Sequence, residues 1–360
     1  MKYFQIAMFT CFSLLLMTGC TKNESTDVDT TANNNSIRSI SAGSYNSLVI
    51  KTDNTAWGMG DPPTGVNMSI PFSQVADNAK AVCAADGAYS LILKNDGTVW
   101  AKGIHHEGQF GNGDTITVNQ YIQIATNVQA ISGSWHHAMI LKNDGTAWAT
   151  GDNTFGGLGT SNNISTNQFL QVASNVKAVT ASYDYSFIIK NDNSLWVTGL
   201  NSDGQLGDGT NSDHNQFIQV TTNVQSVSAF YNHSLILKND NTVWATGFNA
   251  YGQLGTGNDI SVNQFQQVAS NVKAIAAGAN NSFILKTDGS VWATGYNNDG
   301  QLGDGTSTDK QGFVMVATEA QQVSPGLFYT LILRNDGRVW ASGNSGGMAD
   351  GNSFVLLPFQ

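Results

Sequence analysis

Residues 272–295, VKAIAAGANNSFILKTDGSVWATG, decide the fold, because the same arrangement recurs along the chain. Val272 to Gly278 reads as a first strand. Ser282 to Lys286 reads as a second, apolar enough to be buried on both sides. Thr287-Asp288-Gly289-Ser290 is a hairpin turn in which glycine supplies positive φ. Asn54, Asn193 and Asn241 stand in its place in three other repeats, and asparagine tolerates the same region. Val291 to Gly295 is a third strand. A long loop containing Gly300-Gln301-Leu302-Gly303 then leads to a fourth, Phe313 to Val316.

Tryptophan marks the period. It recurs at Trp57, Trp100, Trp148, Trp196, Trp244, Trp292 and Trp340, so five of the six intervals are 48 residues and the first is 43. Repeats of this length mean a propeller or a solenoid. Four short antiparallel strands per unit, seven times over, predict an all-β, seven-bladed β-propeller spanning 37–360. No helix longer than about two turns is expected there. The first and last units are short after their tryptophan, and the ring should close through Ile37–Ser41 and Phe354–Leu357. Composition agrees: 12% charged residues and 38 glycines suit many short strands joined by tight turns.

The Gly-Gln-Leu-Gly loops at 204–207, 252–255 and 300–303 have variants at 108–111 and 156–159. With the Asp-Gly-Thr-Val-Trp hairpin at 96–100 and the His233-Ser234-Leu235 strand start, they make the chain resemble the regulator of chromosome condensation family. The resemblance covers about 37–360 and implies the propeller. Its members include a nucleotide exchange factor, a plant photoreceptor and a secreted bacterial inhibitor of β-lactamases, so it specifies function weakly. The last of these, secreted and bacterial, is the functional analogue that the resemblance leads one to expect.

The N-terminus reads as a leader. A short basic start is followed by an apolar run from Phe9 to Met17, and Met17-Thr18-Gly19-Cys20 resembles the lipobox of bacterial lipoproteins. The resemblance implies cleavage of 1–19 and fatty acylation (palmitate and related chains) at Cys20. Residues 20–36 then form the lipidated cysteine and a polar, disordered tether. The expected location is the bacterial cell envelope, at the outer membrane or cell surface or facing the periplasm. With Cys11 removed and Cys20 lipidated, no internal disulfide is expected, and Cys83 reads as a small buried apolar residue. The net charge of −10 argues against nucleic acid as a partner.

No nucleophile elbow, zinc motif or phosphate-binding loop is present, so binding rather than catalysis is expected, with no cofactor. The tryptophan column reads as packing between blades, and the aspartates of the hairpins as turn residues rather than calcium ligands. His105, His106, His136 and His137 could meet between two blades at zinc or copper, but a histidine-rich rim is the expected outcome.

The informative variation lies at the end of the first-to-second loop of each unit. Tyr45, Trp135, His136, His137, Tyr183, Tyr185, Tyr231, His233, Phe328 and Tyr329 fall there while the framework stays constant. Such residues suit a recognition surface. The alternative is that the third residue of each triple is structural. The leading expectation is a monomeric scaffold for a protein partner; the runner-up is a carbohydrate or cell-wall glycan binder, and an envelope hydrolase comes third.

Overall fold

The computed structural model describes residues 36–344 and 351–358, apart from Tyr45, residues 61–71 and Gly87. The leader, Cys20 and all of the tether except Ser36 lie outside these residues. The described chain forms 28 strands in seven four-stranded antiparallel sheets, with no helix among the described residues. The blades are 37–76, 79–125, 128–173, 176–221, 224–269, 272–317 and 320–356. The expected seven-bladed propeller is the fold.

Each strand's position follows from its sequence. Second strands such as His233–Lys238 carry consecutive apolar residues and are buried along nearly their whole length. Fourth strands such as Val262–Ala269 alternate with water and form the outer edge. First strands line the axis, mostly with small side chains such as Ser41, Cys83, Ser132, Thr180 and Ser228.

The hairpin explains the tryptophan period. The Asp144 carboxylate accepts from the Thr146 amide at 2.9 Å and its hydroxyl at 2.6 Å. The Trp148 indole then donates to that hydroxyl at 2.8 Å. Lys142 caps the ring, 3.9 Å from its centroid. Trp148 packs on the apolar cluster shared by blades two and three. The tryptophans are interblade packing, and Asn54, Asn193 and Asn241 do adopt positive φ, between 63° and 67°.

The Gly-Gln-Leu-Gly loop is also an interblade device. A Cβ on Gly204 would lie 2.5 Å from the Asn263 backbone of the next blade, and one on Gly207 only 2.4 Å from the Phe265 ring. Leu206 between them is fully buried.

The ring closes by packing between blades one and seven rather than by a shared sheet. The Ile40 amide donates to the Gln322 side chain at 3.0 Å, and that side chain returns a bond to the Ile40 carbonyl at 2.9 Å. Ile37, Ile40 and Leu357 share the closing cluster, so the expected segments sit in adjacent blades.

Cys83 is 2% exposed in the strand Ala79–Ala85. One expectation is corrected here: Cys83 is disulfide-bonded rather than a free thiol.

Candidate partner-binding face

Strand alternation places the first-to-second and third-to-fourth loops of every blade on one face. The axis opens there into a small cavity of about 90 Å³, lined by Ser41, Cys83, Ser132, Thr180 and Ser228 of the inner strands. Ligand pockets are usually some 300–1,000 Å³. The axis is therefore too small for a drug-sized ligand, and attention moves to its mouth, where Asp86, Tyr183, Phe230 and Tyr231 stand.

The loop triples divide by depth. Their third residues point inward and latch each blade to the next. Tyr185 donates to the His233 carbonyl at 2.9 Å. His137 Nε2 meets the Ser186 hydroxyl at 2.7 Å, and His233 Nε2 meets Ser282 at 2.9 Å. Tyr329 donates to the Asn46 carbonyl at 3.0 Å, across the ring closure. All four side chains are at most 1% exposed. Their placement on a contact surface is corrected: His137, Tyr185, His233 and Tyr329 are interblade latches, because a long polar side chain there reaches the neighbouring strand.

The first residues of three consecutive triples, Trp135, Tyr183 and Tyr231, remain partly exposed and gather. Trp135 lies 6.4 Å from Tyr183, and Tyr183 stacks on Tyr231 at 4.9 Å and 18°. Phe230, absent from the sequence reading, extends the stack at 5.1 Å. Tyr231 holds φ at +48°, which a bulky side chain rarely adopts. Such strain costs on the order of 1–3 kcal/mol and clusters at functional sites. Phe328 is 44% exposed in blade seven, and Tyr45 lies outside the described residues.

His136 joins the arc, 4.5 Å from the Tyr183 ring. Its Nδ1 meets the Asp184 carboxylate at 2.6 Å. Burial alone would lower the His136 pKa, but the Asp184 bond and the Glu107 and Asp152 charges raise it overall. Burial raises the Glu107 carboxyl. At the cavity mouth, burial pushes Asp86 up to about 7, against the Ser44 hydroxyl that donates to it at 3.2 Å. Sequence reading missed Asp184, although its separation from His136 by one 48-residue period was a usable signal.

The third-to-fourth loops add an apolar rim. Ile116, Ile164 and Ile260 occupy one loop position in blades two, three and five and are 73%, 71% and 65% exposed.

These loops are organised by an amide. Asn249 is fully buried, and its Nδ2 donates to Thr256 Oγ1 and to the Asn258 and Ile260 carbonyls at 3.0–3.2 Å. Its Oδ1 accepts from the Leu254 amide at 2.9 Å. Asn153, Asn201 and Asn297 repeat the arrangement. The oxygen-lined centre of the loop is thus filled by an NH₂ group rather than left for a calcium ion. In blade two His105 takes this place, buried and stacked on Phe110 at 3.9 Å. Its Nε2 lies 3.5 Å from Asp114 Oδ1, and no group of three or more candidate metal ligands occurs among the described residues.

The geometry defines a closed repeat propeller whose variable loops share one face. Residues 128–156, 176–205, 224–253 and 272–301 match the regulator of chromosome condensation (RCC1) repeat, and a second profile of the same repeat matches 240–285. The chain is an RCC1-repeat β-propeller. It is similar to Prp20p of Saccharomyces cerevisiae, a protein described by its binding to Gsp1p and histones, at TM-score 0.72 and 18% identity, covering 84% of each chain. Human WBSCR16 matches at TM-score 0.71 and 18% identity, covering 80% of this chain and 85% of that one. The ACR4 receptor kinase ectodomain of Arabidopsis thaliana matches at 0.53 and 12%, covering 90% and 98%. At these identities the likeness is one of fold. No curated protein sequence matches the chain.

Proposed function

We propose that this chain is a lipid-anchored scaffold of a bacterial cell envelope that binds a protein partner through the Trp135–Tyr183–Tyr231 arc. One observation carries the reading: three blades bring partly exposed aromatic rings into contact at the mouth of the axis, one of them on a strained backbone. RCC1-like propellers commonly act as protein-binding scaffolds, which supports it.

The full-length chain can capture partners from envelope extract and be applied to a glycan array. Tyr183→Ala and Trp135→Ala are expected to weaken the captured protein by about 1–3 kcal/mol each. Their melting temperatures should stay within a few degrees of wild type, because both rings are partly solvated. A glycan held by wild type and lost by Tyr183→Ala would favour the carbohydrate reading. Capture that ignores both substitutions would remove the arc from consideration.

The anchor rests on Met17-Thr18-Gly19-Cys20 and on a propeller that begins at Ile37. A flexible tether of residues 21–36 would hold the ring roughly 20 Å from the lipid surface. Cys20→Ser should release the protein from membranes or leave it unprocessed. Intact mass of the wild-type protein reads the lipid on Cys20 directly. A mutant that stays with membranes at the wild-type mass, corrected for the substitution, would refute the anchor.

A further inference from the structure

Charge is divided between the two ends of the propeller. Among the described residues, 12 of the 21 carboxylates lie in the loops of the arc-bearing face, whereas only two of the 14 lysines and arginines lie at that end, both in strands. Those two are Lys102 and Lys310, and Lys310 is ion-paired with Asp304 at 2.9 Å. The opposite end holds the remaining nine carboxylates and twelve cations. Seven of those cations are fixed over the tryptophan rings, as Lys142 is over Trp148. With histidines neutral, the loop face carries a formal charge of −10 and the hairpin end +3.

The division follows from strand direction. Second strands end in Lys or Arg at the hairpin end, where the cation stacks on tryptophan. The loops that return to the other face instead use carboxylates as caps, such as Asp208 and Asp304. An acidic surface around aromatic rings attracts cations twice over, through the carboxylates and through the negative ring faces. It repels nucleic acid and anionic lipid.

We propose that the partner is basic at its contact point, and that it seats a lysine or arginine side chain against Tyr183 and Tyr231 at the mouth of the axis, with its charge among Asp86, Asp184 and Glu107. This deepens the protein-binding reading and rests on it. Three observations converge there. Asp86, Tyr183 and Tyr231 line the same opening. His136 is the only basic side chain, histidine included, that bonds Asp184 among the described residues. The cavity behind them admits an extended side chain but not a bulky ligand. Burial holds the carboxyls of Glu107 and Asp86 above their ordinary range, a strain that an incoming cation relieves.

The test uses a random twelve-residue peptide library displayed on phage, panned on the full chain. Selected peptides are expected to be enriched in Lys and Arg and to carry net positive charge. Their affinity should fall about tenfold or more between 50 and 300 mM salt, as screening predicts. A similar loss is expected in Tyr183→Ala and in the isosteric Glu107→Gln. Basic peptides that bind both variants as well as wild type would overturn the proposal. So would selection of neutral or acidic peptides; if those still need Tyr183, the arc survives as a protein site and only its preference for cations fails. If no selected peptide depends on Tyr183, both readings fall.

Discussion

Lowering the pH from 7 to 4 is expected to cut the stability of this propeller sharply, and His137→Asn with His233→Asn is expected to remove most of that loss. Both imidazoles are fully buried latches between blades. Burial pushes each pKa down, to about 4. In the unfolded chain an ordinary histidine titrates near 6.5. Between about pH 6.5 and 4 the unfolded chain therefore binds more protons than the folded one, so stability is complete above 6.5 and declines as pH falls. At pH 4 the two groups together account for roughly 6 kcal/mol, about 3 each. That is a large share of the 5–15 kcal/mol typical of a folded protein.

His136 works in the opposite direction. Its raised pKa makes its contribution complete below about 6.5 and lost as pH rises through the folded value, but it is partly solvated and its effect is small. Asparagine is the right replacement because blade one already uses it: Asn46 Nδ2 donates to Ser90 Oγ at 2.7 Å in the equivalent place. Thermal melts from pH 7 to pH 4 decide the matter. A double variant as acid-labile as wild type would place the loss elsewhere.

Asn249→Ala is expected to destabilise the folded chain by about 3–5 kcal/mol, lowering the melting temperature by roughly 5–10 °C. The amide is the only filler of its loop. Its removal takes the partner from the part-buried Asn258 and Ile260 carbonyls and from the buried Leu254 amide. Asn249→Asp sharpens the test. A carboxylate could still accept from Leu254 but cannot donate, and it would face carbonyl oxygens at about 3 Å. It should be at least as damaging as alanine. Hydrogen exchange should show faster amide exchange throughout residues 250–261 in both variants. An aspartate variant as stable as wild type would show that donation from Nδ2 does not hold the loop.

Both effects lie in features the sequence displayed but did not explain. The 48-residue tryptophan period and the Asp-x-Thr-x-Trp hairpin specify a blade locally, because each contact in that turn spans only two residues. Seven such units with no helical pattern were enough for the propeller. The Gly-Gln-Leu-Gly loop was visible as a motif, although its partners, Asn263 and Phe265, sit one repeat further on. A contact displaced by a full period looks like repetition until the ring is closed.

The candidate site was legible in part for the same reason. Sequence alone located the variable triples and chose Trp135, Tyr183 and Tyr231, because equivalent positions in adjacent blades must lie side by side. It could not sort the triples by depth. His136 and His137 are neighbours in the chain, yet one faces solvent beside Tyr183 and the other is sealed against Ser186. Alternation along a strand turns successive side chains in opposite directions, but which of them faces the next blade depends on how the blades pack. The sequence determined the repeat, the number of blades and the face that varies. Only the tertiary structure decided which aromatic and histidine side chains hold the ring together and which stand on its acidic rim, because that choice depends on contacts between blades 48 residues apart.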